Sequence, residues 1–211
     1  MSFSSRKRSH TPFQYEVADY LQASGFAVGS MTYHDCLLSD MQELLKVRDT
    51  PTAEYVRNAA DMIAVHRTLP VEFLVEVKTH RSNRYHDLTA EARQFCQRLR
   101  EADAGGLCLF VYHDPGVRDV GFWLHQCPPV REVRIPDRWD GDTVARYIRE
   151  AEAMLPGVPV LLTRSTAGSD TPFVVIAEDE LRGLPDWQSQ VAEVVHQAAV
   201  CVGTVEEAQV A

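Results

Sequence analysis

The sequence predicts a mixed α/β domain: a central sheet with helices packed on it. Three observations carry this. The stretches 58–65 and 71–78 read as two short apolar strands, and the polar, proline-containing segment 67–70 turns the chain between them as in a hairpin. Apolar repeats of helical period stand before and after the pair. The run 107–112, Leu-Cys-Leu-Phe-Val-Tyr, is apolar throughout, as a strand buried on both faces is after a crossover helix.

The elements follow in order. Residues 1–10 are polar and basic, with Arg6, Lys7 and Arg8 and no apolar segment of secretory type, so a disordered basic arm is expected. Thr11-Pro12-Phe13-Gln14 reads as a capping box, and Phe13, Val17, Tyr20 and Leu21 then repeat at helical spacing up to a stop at Gly25. A strand is expected at 27–33 and a helix at 40–47, broken by Thr50-Pro51. After the hairpin, Leu88, Ala92, Phe95, Leu99 and Ala102 predict a helix over 88–102, ended by Gly105-Gly106.

Beyond the buried strand, 120–126 alternates as a strand and Cys127-Pro128-Pro129 ends it. Another strand is expected at 130–135. Val144, Tyr147, Ile148, Ala151 and Leu155 mark a helix stopped by Pro156-Gly157. Strands at 158–163 and 172–177 are joined by a flexible loop, 165–171. Trp187, Val191, Val194, Val195 and Ala198 mark a last helix, with 203–211 a frayed tail. No linker-like break in composition appears. A single domain is therefore expected over 11–202, with a core over 11–112 and an extension over 113–202. The chain shows no repeats, no Walker loop and no GxGxxG.

The chemistry concentrates on the hairpin. Its first strand opens near Asp61 and its second ends in Glu76-Val77-Lys78. A hairpin of this length brings Asp61 close to Glu76. Glu76 and Lys78 are two apart and share one side of their strand, while Val75 and Val77 take the other. Two carboxylates and an ammonium then converge at one sheet edge, a place suited to a hard divalent cation and an activated water. Mg²⁺ takes oxygen ligands, commonly one or two carboxylates with substrate phosphate. It acidifies water and neutralises charge developing on phosphate. Lysine there can orient or deprotonate the attacking water, or stabilise transition-state charge. The plainer reading of the same residues is a structural ion pair on a hairpin.

An acid at the start of one strand followed by Glu-x-Lys on the next resembles the PD-(D/E)XK nuclease superfamily. The proline that names the motif is absent, since Ala60 stands before Asp61. The resemblance implies a restriction-endonuclease-like mixed central sheet flanked by helices, here with additional C-terminal strands and helices. It implies Asp61, Glu76 and the carbonyl of Val77 as metal ligands and Lys78 as the catalytic lysine. It further implies a glutamate from the first helix, for which Glu16 is the candidate, and a glutamine from the helix after the hairpin, Gln94 in preference to Gln97. The activity implied is Mg²⁺-dependent hydrolysis of phosphodiesters in nucleic acid, DNA above RNA, leaving a 5′-phosphate and a 3′-hydroxyl. Mn²⁺ would substitute, and a homodimer would place two sites on two strands. The alternative is a catalytically silent protein of the same fold that acts as a binding or inhibitory partner of another protein.

Composition bounds these readings. The chain has 211 residues, 45% hydrophobic and 24% charged, and a net charge of −9. The acidic total argues against nucleic-acid binding. From Lys78 to Arg100, however, Lys78, Arg81, Arg84, Arg93, Arg98 and Arg100 face only Asp87 and Glu91. Arg81, Arg84, Arg93 and Arg98 are the candidate phosphate-backbone contacts, with a solvated helix face as the plainer alternative. The five cysteines show no CxxC or Cys/His pairing, and Cys96 and Cys108 sit in apolar contexts. Reduced core thiols and a cytoplasmic protein are therefore expected. No apolar run reaches the length of a membrane span. His34-Asp35-Cys36 has the residue types of a nucleophile cluster but lacks an oxyanion motif nearby, and carries no assignment.

Overall fold

The structure, a computed structural model, describes residues 3–31, 50, 58–79, 86–114, 119–163 and 171–210; of 3–11, 163 and 204–210 it describes the backbone alone. Its elements run α1 Phe3–Ala23, β1 Phe26–Ser30, β2 Met62–His66, β3 Glu72–Thr79, β4 Leu88–Glu91, α2 Ala92–Asp103, β5 Cys108–His113 and β6 Val120–Trp123. A 3₁₀ turn, Leu124–Gln126, leads to β7 Val130–Pro136, α3 Gly141–Met154, β8 Val160–Thr163, β9 Phe173–Ile176, α4 Glu178–Arg182 and α5 Trp187–Val210.

The expected mixed α/β architecture is present, with the central sheet flanked by helices and further strands and helices after it. The central sheet has the order β1-β2-β3-β5-β6. β1, β2 and β3 are antiparallel neighbours, β3 and β5 run parallel, and β6 returns antiparallel to β5. The predicted hairpin is β2–β3, with Met62 opposite Val75 and Val65 opposite Glu72. The crossover from β3 to the parallel β5 runs through β4 and α2, as parallel pairing requires.

Alternation along β3 and β5 splits the core in two. Phe73, Val75, Val77, Leu109 and Val111 face α1 and α5, where they meet Phe13, Val17, Leu21, Trp187 and Val191. Cys108, Phe110 and Tyr112 face the other way, onto Phe95 and Cys96 of α2, Tyr147 and Ala151 of α3, and the second sheet. Glu76 pairs with Phe110 in register and Lys78 with Tyr112, so both belong to the α2 side. Both core thiols, Cys96 and Cys108, are buried and free.

Two glycines have steric reasons. Gly25 ends α1 at φ 95°, a left-handed conformation that glycine adopts without strain, and His66 lies 2.8 Å from where a Cβ would stand. Gly121 on β6 lets the start of α5 close on the sheet: a Cβ there would meet the Trp187 Cβ at 2.4 Å.

Several boundaries differ from the expectation. α1 begins at Phe3, not at a Thr11 cap, and holds Pro12 inside it. Proline fixes a helical φ but removes one ladder bond and crowds the carbonyl four residues before it, so the preceding turns join at a cost. The helix expected from 88 begins at Ala92, because Leu88 and Ala90 are buried while Thr89 and Glu91 are exposed, and the four residues pair with β9 as β4. A repeat of four cannot be told from alternation over so short a run when only its ends are compared, since positions 88 and 92 satisfy both; the buried Ala90 between them fits alternation alone. β6 stops at Trp123 and becomes the 3₁₀ turn. α5 continues through Gly203 to Val210; among the described residues only Gly25, Gly105 and Gly157 have positive φ, so Gly203 supplies no left-handed stop.

Of the strands after residue 113, only β6 widens the central sheet. The later strands β7, β8 and β9 join β4 in a second mixed sheet, β4-β9-β7-β8, in which β7 separates the two strands expected to follow one another across the 165–171 loop. Residues 40–47, 34–36, Arg81 and Arg84 lie outside the described residues.

Candidate metal-binding site

β2 and β3 build the site from their ends. Asp61 immediately precedes β2, one step beyond the Met62–Val75 pair, which sets it across from Glu76. The strand ladder stops there, and the Asp61 side chain takes its place: the Val77 N–H donates to Asp61 Oδ2 at 2.7 Å. Gln14 Nε2 of α1 donates to the other oxygen, Oδ1, at 3.0 Å. Asp61 is thus held by a strand and a helix at once.

Glu76 lies in the middle of the sheet and is 0% exposed. Its Oε1 accepts a hydrogen bond from Lys78 Nζ. Lys78 Nζ also donates to Gln94 Oε1 of α2 at 2.9 Å. Glu76 Oε2 is buried without a hydrogen-bond partner. A buried polar atom left in this state is costly. The carboxyl responds: burial, opposed by Lys78 and reinforced by the charge of Asp61, pushes its pKa up to about 7. Lys78 shifts upward too. Burial alone would lower it, but Glu76 and Asp61 outweigh burial and hold the ammonium charged.

This donor set fits a hard divalent cation. The orphaned oxygen belongs to a carboxyl that feels the charge of a second one, Asp61, and carboxylate oxygens are the ligands such a cation takes. Among the described residues no group of three or more His, Cys, Asp or Glu side chains is placed to hold a metal.

The sequence-predicted residues divide clearly. Asp61, Glu76, Lys78 and Gln94 come together. Gln97, the less favoured glutamine, bonds instead to Glu101 at 3.3 Å along its own helix. Glu16 is exposed and no hydrogen bond or ion pair ties it to the site. It stands two residues, about 200° of helix, from Gln14, so the side that delivers Gln14 to Asp61 turns Glu16 outward. Gln14 is the residue the sequence reading missed. Its signal was a polar side chain inside the apolar repeat 14, 17, 18, 21.

The candidate phosphate contacts divide as well. Arg93 is exposed on the first turn of α2, beside Gln94. Arg98 is 1% exposed and is not a surface contact. It lies one turn after Gln94 on the face that packs inward, where its Nη2 donates to the Asn58 carbonyl at 2.8 Å and its Nη1 meets Glu101 Oε2 at 2.7 Å. Further along the same sheet face, the buried Asp114 binds His86 Nδ1 at 2.6 Å, and the Tyr112 hydroxyl donates to the carbonyls of His86 and Asp87 at 3.2 Å each. These bonds pin the return from β3 towards β4 on the Lys78 side.

No protein-family model matches the chain, and no curated protein matches it. Among solved structures, the chain is similar to Hjc, a Holliday junction resolvase from the archaeal hyperthermophile Archaeoglobus fulgidus. Identity is 13%, the TM-score is 0.43, and 87% of this chain and 98% of that chain are covered. At that distance neither an activity nor a residue role passes from one chain to the other.

Proposed function

We propose that the chain is a divalent-cation-dependent phosphodiesterase that cuts nucleic acid, DNA as its substrate and Mg²⁺ as its ion, with Mn²⁺ able to substitute. One observation carries this: the buried, unpartnered Oε2 of Glu76, whose carboxyl feels the charge of Asp61 across the strand pair and bonds Lys78 through its other oxygen. A merely structural Glu–Lys pair would leave neither a second acid at the spot nor a carboxylate oxygen without a partner.

Asp61 and Glu76 would hold the ion, with the Val77 carbonyl as a third ligand. The ion supplies charge neutralisation at the phosphate and acidifies water. Lys78 is kept protonated at neutral pH, so its part is to donate a hydrogen bond and stabilise charge, not to take a proton. Gln94 and Glu76 fix the direction of its ammonium. Gln14 and the Val77 N–H fix Asp61. Arg93, Arg81 and Arg84 would hold the phosphate backbone, residues 11–112 would form the nuclease core, and two copies would pair so that two sites meet two strands.

The acidic total, −9, favours a second reading in which the same fold binds a protein partner and cuts nothing. Titration of Mn²⁺ into wild type and Glu76→Ala by calorimetry, with nicking of a labelled duplex followed in parallel, separates the two. Loss of both binding and nicking in the variant is expected. Equal metal affinity in the two proteins would sink the assignment.

A further inference from the structure

Arg98 stands out among the charged side chains. Its guanidinium is buried, its Nε has no partner, and its bonds go to a neutral carbonyl and to the half-buried Glu101. Burying a charge on such terms is unfavourable, and Arg93 and Arg100 on the same helix are exposed. The reward lies in what the bond holds. Asn58 lies on the approach to Asp61. Three residues later Asp61 receives the Val77 N–H, with the fully buried Ala60 between. Gln94 and Arg98 are one helical turn apart, so one row of α2 braces Lys78 with its first member and the approach to Asp61 with its second.

We propose that Arg98 is a positioning residue of the site: through the Asn58 carbonyl it sets the place of Asp61 opposite Glu76, and it does not contact nucleic acid. The fork serves the carbonyl and Glu101 from two separate nitrogens, Nη2 and Nη1, a geometry that the single nitrogen of a lysine does not reproduce. Charge alone makes the opposite prediction. Arg98 is near enough to Glu76 for its charge to be felt there, and a cation under a cation site opposes metal binding. Its removal would then tighten the metal; loss of positioning would weaken it.

The proposal rests on the metal reading for affinity but not for geometry, and the test separates the two. Arg98→Lys keeps the charge and loses the fork; Arg98→Met loses both. Amide hydrogen exchange is measured by NMR on the metal-free full chain. Val77 is expected to exchange about tenfold faster in both variants, with Leu109 and Val111 unchanged. Wild-type exchange at Val77 in either variant would overturn the proposal, and so would a uniform rise at all three, which is the mark of simple core packing. Calorimetry with Mn²⁺ alone should then show about tenfold weaker binding in both variants, the usual scale for a group that orients a ligand. Tighter binding in Arg98→Met would overturn the proposal. Absence of binding in the wild type would refute the metal reading, and Val77 exchange alone would decide the role of Arg98.

Discussion

At the scale of residues, Glu76 and Lys78 share a hydrogen bond but have opposite needs. Burial favours neutral Glu76, whereas the carboxylates favour charged Lys78. The sign for stability follows. The folded pKa of Glu76 is above its unfolded value, so its contribution is present below about 4.5 and is lost as pH rises through about 7. Glu76→Gln imitates the protonated form. It should raise the metal-free melting temperature above neutral pH and leave it unchanged in the acid range. Thermal unfolding by circular dichroism across pH checks this, and an equal shift at both ends would contradict it. If Lys78 stabilises the transition state as proposed, Lys78→Ala should lower the single-turnover rate by about 10² to 10⁴-fold with far less effect on DNA affinity. An unchanged rate with weaker binding would show that Lys78 only holds phosphate.

At the scale of elements, the site depends on two helices that reach a strand end from opposite sides of the sheet. α1 offers Gln14 and α2 offers Gln94, each making one hydrogen bond to a charged group. Groups that orient ligands and charged side chains in this way are worth about 10- to 100-fold in affinity or activity. Gln94→Ala should therefore slow nicking by about tenfold or more, while Gln97→Ala, whose partner is Glu101, should leave it unchanged. Side-by-side nicking assays decide it, and equal effects would mean that α2 matters only through its packing. Helical phase explains why Glu16 lost its place to Gln14: the apolar stripe told which helix would pack, but a rotation of two residues decides which polar side chain meets Asp61.

At the scale of the whole molecule, the charge balance is acidic, with a net charge of −9. Among the described residues Arg93 is exposed beside the site and Arg98 is not. Arg93→Ala, alone and added to Arg81→Ala/Arg84→Ala, should lower DNA affinity for all sequences alike. The slope of log K against log salt should fall by about 0.9 for each lost duplex phosphate contact. Arg146 and Arg149 on α3, replaced together, serve as the distant control. A slope equal to that of the wild type would remove these arginines from the interface. Among the described residues, no helix is long and apolar enough to cross a membrane.

What the sequence determined by itself was local. Two apolar runs, 58–65 and 71–78, and the polar turn 67–70 between them specified a hairpin, and a pair of ions two apart on an apolar strand specified which face would be polar. The apolar repeats specified where α1, α2, α3 and α5 would pack. The tertiary structure alone decided the rest. It assigned 88–91 to a strand because β9 was there to pair with it, and it gathered β4, β7, β8 and β9 into a separate sheet. It brought Gln14 to Asp61 across 47 positions and turned Arg98 from solvent to the Asn58 carbonyl across 40. The reason is physical. Secondary structure follows short-range periodicity, which one segment contains. The partner of a buried polar group is set by which elements pack together and at what rotation, and no single segment contains that.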